Sequence, residues 1–321
     1  MILVSGASGF IGKALCAKLE KDHFVVRGIG RDQNCPPGLN EYVRCDLEKQ
    51  LELDGVCEGV DTIIHLAGRA HILNDTAEDP VAAFRSANVD VSIRLAQAAI
   101  RQGVRRFIFI SSIGVNASET LADTKITEDS PCSPTQLYGV SKKEAESALS
   151  SLVGPSNMEL VIIRPPLVYA GNAPGNFHRL MSIISKGVPL PFKNVQNLRS
   201  MVSLENLIDF ICLCVEHPSA ANEVFLVSDG VSFSTGEIIR LLAQGMGKKP
   251  KLFAFPTGLL EFGLAAVKKK SIYSQLCGSL VVDSSKSRRL LGWVPPVEPN
   301  QALLSAGAFF KAKVKEKKEG R

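Results

Sequence analysis

Three side chains in the middle of the chain are of the types that can transfer a proton together: Ser112, Tyr138 and Lys142. If the segment after Pro134 is helical, the four-residue spacing of Tyr138 and Lys142 places phenol and ammonium on one face. The cation then favours phenolate, which a phenol titrating near ~10 in water needs in order to exchange a proton near neutral pH. Ser112 ends an apolar run and could hold the same oxygen atom. The spacing alone is also typical of a solvated helix face, so its meaning depends on the rest of the chain.

The N-terminus predicts a nucleotide site. An apolar run over residues 1–5 is typical of a buried strand, and a glycine turn and an apolar-periodic helix follow it. Glycines allow a tight turn and a close approach to a pyrophosphate, while the helix N-terminus presents free N–H groups to the phosphates. The alternative is a purely structural turn. The residues expected to bind the cofactor here are Gly6, Ser8, Gly9, Phe10, Ile11 and Gly12.

Length and composition fit a large globular protein. A chain of 321 residues with 45% hydrophobic content can bury a large core and suggests one large or two intimate domains. Its eight cysteines are scattered without a Cys-x-x-Cys pair or a matching histidine cluster, so neither disulfides nor a metal site are expected. The chain begins directly with its first strand and leaves no room for a signal peptide, which predicts a cytoplasmic protein.

The positive charge is concentrated at the C-terminus. Residues 311–321 supply +4 of the formal net charge of +5, so no face for nucleic acid is indicated. We expect this basic tail to be a solvated, frayed end, with weak attraction to anionic lipid as the alternative. The apolar stretch 252–267 contains Pro256 and Glu261 and is too short to span a bilayer. It is interpreted as a core or interfacial helix.

Strand and helix patterns alternate, which predicts an α/β fold with a Rossmann-type, doubly wound parallel sheet. Strands are expected at 2–5, 23–30, 42–45, 61–66, 105–111 and 159–164, with helices near 10–21, 80–102 and 135–152. After Arg164 a Pro- and Gly-rich stretch marks a smaller α/β substrate-binding part with helices at 177–186, 234–245 and 256–269. A strand at 224–227 returns to the main sheet. The predicted division is 1–164 with 201–228 for the dinucleotide, 165–200 with 229–310 for the substrate, and 311–321 as the tail.

The chain resembles the extended short-chain dehydrogenase/reductase family, specifically its nucleotide-sugar epimerase/dehydratase branch, up to about residue 300. The matching segments, in order, are Gly6–Gly12, Asp46–Leu47, His65–Gly68, Asn88–Val89, Ser111–Ser112, Tyr138–Lys142, Arg164–Pro165, Gly175–Phe177, Leu198–Ser200 and Leu291–Trp293. Their order and spacing together are far more specific than any one of them.

The resemblance implies roles for these positions. Ser112 and Tyr138 meet the C4 oxygen of the substrate, and Lys142 also grips the nicotinamide ribose. Asn176 and Arg199 face the nucleotide diphosphate. The other implied cofactor residues, beyond the glycine turn, are Asp46, Leu47, Leu66, Ala67, Gly68, Asn88, Tyr138 and Arg164. An alternative stays open for each of two positions: Asn88 only caps or braces a helix, and Arg199 belongs to a surface ion pair. A homodimer through the helices containing 80–102 and 135–152 is implied as well.

Two features of the sequence bear on the reaction. The 4,6-dehydratases of this family carry an acidic pair just after the catalytic serine or threonine, whereas Ile113 and Gly114 stand here, which argues against dehydration. The expected second strand ends without the carboxylate that binds a ribose 2′-OH in NAD-preferring folds, and Arg31 lies where an arginine accommodates a 2′-phosphate. NADP(H) is therefore favoured, with NAD(H) as the alternative.

Three functions are carried forward. The leading one is a 4-keto reductase that forms a UDP-2-acetamido-2,6-dideoxyhexose such as UDP-N-acetylquinovosamine for bacterial surface polysaccharide. The second is a UDP-glucose or UDP-N-acetylhexosamine 4-epimerase with tightly held NAD. The third is a non-catalytic nucleotide-binding sensor or scaffold, against which the intact Ser112, Tyr138 and Lys142 count.

Overall fold

The computed structural model describes residues 1–33, 35–70, 77–121, 123–256, 258–259, 262 and 270–319, with only the backbone described at 270–272 and 317–319. Ten strands are described in it. They are β1 Ile2–Ser5, β2 Val26–Gly30, β3 Glu41–Arg44, β4 Thr62–His65, β5 Arg106–Ile110, β6 Glu159–Arg164, β7 Leu167–Tyr169, β8 Arg199–Ser203, β9 Val224–Leu226 and β10 Ser232–Phe233. Seven form one parallel sheet in the order β3-β2-β1-β4-β5-β6-β9, and three form a smaller sheet in the order β10-β8-β7. The predicted Rossmann-type fold is confirmed.

The helices cover both faces of the large sheet. Their bounds are α1 Phe10–Lys21, α2 Asp54–Cys57, α3 Pro80–Arg85, α4 Val91–Arg101, α5 Leu137–Val153, α6 Gly175–Ser185, α7 Leu204–Glu216, α8 Thr235–Gly245, α9 Lys270–Cys277, α10 Ser285–Leu291 and α11 Pro299–Glu319. One core joins α1 and α7 to the sheet, and a second core joins α4 and α5 to its other face. Because both faces are covered, β1, β4 and β5 are buried at every residue, in agreement with their mostly apolar sequences.

The predicted helix 80–102 is not one α-helix. A π-helical turn at Ser86–Asp90 separates α3 from α4. Such single-turn insertions are rare and are found mostly at functional sites. The sequence pattern missed it because hydrophobic periodicity does not report one extra residue in a turn.

The smaller part is built around a third core that joins α6, α8 and α11. The strand expected at 224–227 lies beside β6 in the main sheet, as predicted. The segment 201–228 divides, however: residues 201–203 belong to β8 of the smaller sheet, while α7 and β9 pack with the larger one. The helix expected at 256–269 lies largely outside the described residues.

The basic tail is not frayed as expected, because α11 continues to Glu319. Its lysines at 311, 313 and 315 are exposed, which agrees with the predicted solvation. Among the helices that the structure describes, none has the length and apolar character that a bilayer crossing would require.

Candidate active site

The three proton-transfer candidates converge at the carboxyl ends of the central strands. Ser112 follows β5 and begins a short 3₁₀ turn, where its Oγ accepts a hydrogen bond of 3.1 Å from the N–H of Gly114. Tyr138 and Lys142 lie in the first turns of α5, which begins at Leu137. The 3₁₀ turn and α5 pack closely, because a Cβ at Gly139 would lie 3.0 Å from the carbonyl carbon of Gly114. The structure therefore places the two segments that carry the predicted trio side by side, at the edge where parallel sheets bind ligands.

The electrostatics of this pair differ from the sequence-based expectation. Lys142 is buried; its Nζ donates to the carbonyl of Ile110 at 2.8 Å and lies 4.4 Å from the ring centre of Phe109. Burial lowers the pKa of Lys142 to about 8, although Glu146 acts in the opposite direction. Burial also raises the pKa of Tyr138 to about 12. Sequence analysis expected the cation to favour phenolate; in the protein without ligand, burial instead favours the protonated phenol.

This state suits proton donation rather than proton abstraction. Tyr138 holds its proton at neutral pH, and Lys142 is a cation below about pH 8. An ammonium can donate three hydrogen bonds, and the carbonyl of Ile110 accepts one of them. The remaining two fit the paired hydroxyls of a ribose.

The glycine turn has the features that a pyrophosphate requires. Gly6 has φ +73°, and a Cβ there would lie 2.9 Å from the backbone nitrogen of Ala67. The turn thus packs directly on the loop after β4. Gly9 caps α1 without a side-chain hydrogen bond, and the first turn of α1 has no acidic residue. Its first N–H groups and the positive end of the helix dipole are therefore suited to an anion.

A buried hydrogen-bond chain holds the loop after β4. His65 contacts Ser5 Oγ through Nδ1 at 2.5 Å and Ser92 Oγ through Nε2 at 3.0 Å. Ser92 donates to the carbonyl of Asn88, and Ser5 accepts from the N–H of Ala67. Burial lowers the pKa of His65 to about 3, so the ring is neutral. Every donor in this chain has an acceptor when the proton of the His65 ring is on Nε2 and the hydroxyl of Ser5 donates to Nδ1.

Asn88, in the π-helical turn, connects this loop to α5. Its Oδ1 accepts from the N–H of Arg69 at 2.7 Å, and its Nδ2 donates to the carbonyl of Arg69 and to Ser141 Oγ. Ser141 in turn donates to the carbonyl of Tyr138. The structure therefore supports the bracing alternative for Asn88: it fixes the predicted cofactor loop Leu66, Ala67 and Gly68 relative to the catalytic helix.

Arg164 forms a buried ion pair that the sequence did not predict. Its guanidinium forms a buried bidentate ion pair with Glu146 at 2.6 and 2.9 Å, and its Nη1 donates to Asn116. Glu146 lies on α5, so this pair fixes the helix of Tyr138 to β6. The guanidinium of Arg164 thus positions α5, because its side-chain donors are directed at protein acceptors; its role toward the cofactor stays a prediction.

A cationic cavity lies at the carboxyl ends of β2 and β3. Its volume is about 450 Å³ and it is lined by Arg31, Arg44, Asp46 and Lys49. Arg31 directly follows β2, and Arg44 pairs in register with Gly30. Asp46 lies 3.9 Å from Lys49, whereas neither arginine forms an ion pair with the described residues. Leu47 is buried. Sequence analysis missed Arg44 and Lys49, although the end of β3 was a place to look.

The two diphosphate candidates contact one segment of the smaller part, residues 274–278. Asn176 Nδ2 donates to Gln275 Oε1 at 2.6 Å. Arg199 Nη1 donates to the carbonyls of Ser274 and Gly278, and burial lowers its pKa. Asn197 donates to the carbonyl of Gly278 as well. The alternative that Arg199 belongs to a surface ion pair is not supported, because its contacts are carbonyls. Asn197 and Gln275 gave no sequence signal.

Comparison with known proteins agrees with this geometry. The model of the NAD dependent epimerase/dehydratase family matches residues 2–228. A Vibrio cholerae protein named UDP-glucose 4-epimerase is 39% identical over 315 residues, 97% of this chain and 96% of the relative. An Escherichia coli O157:H7 protein named N-acetyl-alpha-D-glucosaminyl-diphospho-ditrans,octacis-undecaprenol 4-epimerase is 26% identical, covering 94% of this chain and 92% of its own.

A solved structure shows the same fold at lower identity. UDP-glucuronic acid 4-epimerase from Bacillus cereus, in complex with UDP-glucuronic acid and NAD, has a TM-score of 0.78 at 22% identity, covering 97% of this chain and 99% of its own. The chain belongs to the NAD dependent epimerase/dehydratase family. The predictions of this family and of an enzyme are confirmed.

Proposed function

We propose that this family member is an NADP(H)-dependent reductase of the C4 ketone of a UDP-2-acetamido-2,6-dideoxy-4-hexulose, forming UDP-N-acetylquinovosamine for surface polysaccharide. The observation that carries the proposal is the cationic cavity with Arg31 and Arg44 at the ends of β2 and β3. A reductase must exchange its cofactor with a reduced pool, commonly NADPH. An epimerase returns the hydride it removes and usually retains NAD.

The cavity supports NADPH through charge. In a fold of this type the ribose 2′ position of the cofactor lies at the end of the second strand. Arg31 and Arg44 leave two positive charges without an ion-pair partner among the described residues, and a 2′-phosphate would supply one. The lone carboxylate there, Asp46, is 3.9 Å from Lys49. NADH has no 2′-phosphate, so it would give neither arginine an anion to pair with at this position.

The chemistry needs one proton and one hydride at C4. When bound, the reduced nicotinamide supplies the hydride to the C4 carbon. Tyr138 supplies the proton to the C4 oxygen, and its raised pKa keeps that proton in place at neutral pH. Ser112 donates to the same oxygen as negative charge develops. Lys142, fixed by Ile110, orients the ribose and favours the phenolate that Tyr138 becomes.

The substrate assignment rests on Asn176 and Arg199. An arginine can bind a diphosphate with two parallel hydrogen bonds, and this one lies beside Asn176 through their shared contact with residues 274–278. Ile113 and Gly114 offer no acid or base beside Ser112, so elimination of water from the sugar lacks its catalysts there.

The second candidate is a 4-epimerase with tightly held NAD. The Vibrio cholerae relative carries that name with UDP-glucose, and the Bacillus cereus structure holds NAD. The Escherichia coli relative is named for a lipid-linked diphosphate sugar, so a polyprenyl carrier is a second form that the substrate diphosphate could take.

One experiment separates these functions. The cofactor is released from purified protein and identified, and the protein is then mixed with NADPH and a UDP-4-keto-6-deoxy-N-acetylhexosamine. The proposal expects stoichiometric NADPH oxidation and little retained NAD. Retained NAD with interconversion of UDP-glucose and UDP-galactose would replace the reductase with the epimerase. Cofactor binding without turnover of any nucleotide sugar would revive the sensor.

A further inference from the structure

A carboxylate lies beside the guanidinium that is proposed to bind the substrate diphosphate. A Cβ built at Gly278 would lie 3.0 Å from the carboxyl carbon of Glu119, so that carboxyl group packs against residue 278. The carbonyl oxygen of Gly278 accepts a hydrogen bond of 3.0 Å from Arg199 Nη1. Burial lowers the pKa of Arg199, and the negative charge of Glu119 acts in the opposite direction. Geometry and electrostatics thus both place Glu119 next to Arg199.

The fold holds the segment of Glu119 in this place. The N–H of Thr120 donates to the carbonyl of Ser279 at 2.8 Å, which joins the segment to the smaller part. The hydroxyls of Ser118 and Thr135 form a hydrogen bond of 2.9 Å, and Thr135 lies just before α5. Contacts on both sides of Glu119 therefore connect its backbone to the smaller part and to the segment that precedes the catalytic helix.

The charge of Glu119 is unfavourable for an anion that binds to Arg199. Glu119 is exposed and forms no salt bridge with the described residues, so no ion pair holds its carboxylate. A diphosphate on Arg199 would bring further negative charge close to this group. Like charges at short distance repel, and because solvent reaches Glu119, we expect a modest effect that depends on salt.

The size of this repulsion depends on the ligand. In a UDP-linked sugar each phosphate is esterified and carries one negative charge. The terminal phosphate of free UDP has a second ionisable oxygen with a pKa near ~6, so it carries about one further negative charge at neutral pH. Glu119 would therefore repel free UDP more strongly than the sugar-linked form at the same place.

We propose that Glu119 is a specificity-determining residue: its carboxylate weakens diphosphate binding at Arg199, and it weakens the binding of free UDP more than that of UDP-linked sugars. The inference rests on the proposed function, because it takes Arg199 as the residue that binds the diphosphate. Arg199 attracts both ligands through the same kind of contact and does not separate them by itself. With Glu119 beside it, free UDP becomes a weaker competitor for the site.

The test is isothermal titration of the full-length protein with UDP and with UDP-N-acetylglucosamine at low salt. Glu119→Gln removes the charge and keeps the shape, whereas Glu119→Met removes the charge without adding an amide donor. Both variants should bind UDP about 2- to 5-fold more tightly than wild type, with a smaller gain for UDP-N-acetylglucosamine. The gain should shrink at ~0.5 M salt, where screening is strong.

Glu216→Gln is the matched control. Glu216 is an exposed carboxylate at the last residue of α7, a helix end that contacts the first residue of β5 and so lies at the amino ends of the strands. This variant should bind both ligands like wild type. Unchanged NADPH affinity and melting temperature in all three variants would confirm that each is folded with its cofactor side intact.

Three outcomes would overturn the proposal. Unchanged UDP affinity in both Glu119 variants would show that this charge does not act on the diphosphate. A gain in Glu119→Gln alone would assign the effect to the new amide donor. Weaker binding of either ligand in both variants would make Glu119 a group that holds Arg199 or a sugar hydroxyl in place.

Failure of the proposed function gives a different result. If wild type binds neither UDP nor UDP-N-acetylglucosamine, the assignment of Arg199 to a nucleotide diphosphate is wrong. If UDP binds wild type, and Arg199→Lys weakens it while both Glu119 variants leave it unchanged, only the present inference is removed.

Discussion

The cofactor side and the substrate side of this protein hold their polar side chains in different ways. On the cofactor side, a buried chain of hydrogen bonds runs from Ser5 through His65 to Ser92 and ends on the backbone carbonyl of Asn88, joining β1, β4 and the π-helical turn. On the substrate side, Asn176, Asn197 and Arg199 all donate to residues 274–278. A network of mutually satisfied side chains inside the sheet is fixed before any ligand arrives.

The substrate side depends on the position of one short segment. If residues 274–278 move, Arg199 and Asn176 lose their partners together and become available to a phosphate. From this difference we predict that the cofactor groove is preformed and that the proposed substrate site rearranges on binding. The following predictions test that difference, from the largest expected effect to the smallest.

The largest effect is expected at Tyr138. Tyr138→Phe keeps the ring and its packing but removes the proton donor, so turnover should fall by roughly 10²–10⁴-fold with little change in binding of either ligand. The measurement is steady-state turnover together with titration of NADPH and UDP. Tyr169→Phe is the control: it removes a buried hydrogen bond to Asp229, so it should lower the free energy of unfolding but not turnover per folded molecule. Wild-type turnover in Tyr138→Phe would refute the assignment.

The cofactor side should distinguish NADPH from NADH through its arginines. Arg31→Ala and Arg44→Ala should each weaken NADPH binding by about 10-fold or more while changing NADH binding little, because only NADPH has a 2′-phosphate to lose its partner. Fluorescence titration of both cofactors measures this. Lys49→Ala should have a smaller effect, since Lys49 is highly exposed and already near Asp46. Equal losses for both cofactors would remove the case for NADP(H).

Substitutions on the substrate side should weaken UDP binding without weakening NADPH binding. Arg199→Lys should weaken UDP binding several-fold and leave NADPH binding unchanged, because lysine provides a bidentate contact less well. Gly278→Ala should have the same selectivity, since its Cβ would lie 2.5 Å from the carbonyl oxygen of Ser274 and displace the segment. Isothermal titration with UDP and with NADPH compares the two. UDP binding equal to wild type in both variants would remove residues 274–278 from the site.

A smaller effect concerns pH. Because burial lowers the pKa of Lys142 to about 8, the ammonium of the ligand-free protein loses its charge as pH rises through that value. An anionic cofactor favours the charged form, so NADPH affinity should fall a few-fold between pH 7 and pH 9, and binding near pH 8 should take up protons. Tyr138 titrates too high to contribute in this window. Calorimetry in buffers of different ionisation enthalpy measures the uptake. Lys142→Met should abolish it, and pH-independent binding by wild type would contradict the assignment.

The sequence predicted what depends on local pattern. The strand-turn-helix at Gly6–Gly12, the parallel sheet and the trio of Ser112, Tyr138 and Lys142 follow from short motifs and from the alternation of strands and helices. Sequence patterns did not predict properties that depend on solvation or on the direction of a side chain. Tyr138 and Lys142 lie on one helix, as their spacing predicted. The spacing does not reveal that Lys142 donates to the carbonyl of Ile110, or that burial raises the pKa of Tyr138.

Contacts between distant segments were also out of reach. Asn176 meets Gln275 across 99 positions, and Arg199 meets Gly278 across 79. Neither pair is encoded by a motif, because packing of the smaller part brings them together. The ion pair of Arg164 could not be predicted for a related reason: its partner Glu146 lies on the preceding helix, and only the fold shows that the pair is buried.

The π-helical turn at Ser86–Asp90 sets the rotational phase between α3 and α4. Each residue of an α-helix turns the chain by about 100°, so deleting one residue there would let the backbone form a regular helix while rotating one half against the other. Asn88 could then no longer face both Arg69 and Ser141. The contacts of Asn88 therefore constrain the number of residues between Pro80 and Arg101 as much as they constrain the residue type at position 88. A redesign that regularised this helix for stability would disconnect the cofactor loop from Tyr138 without replacing a single catalytic residue.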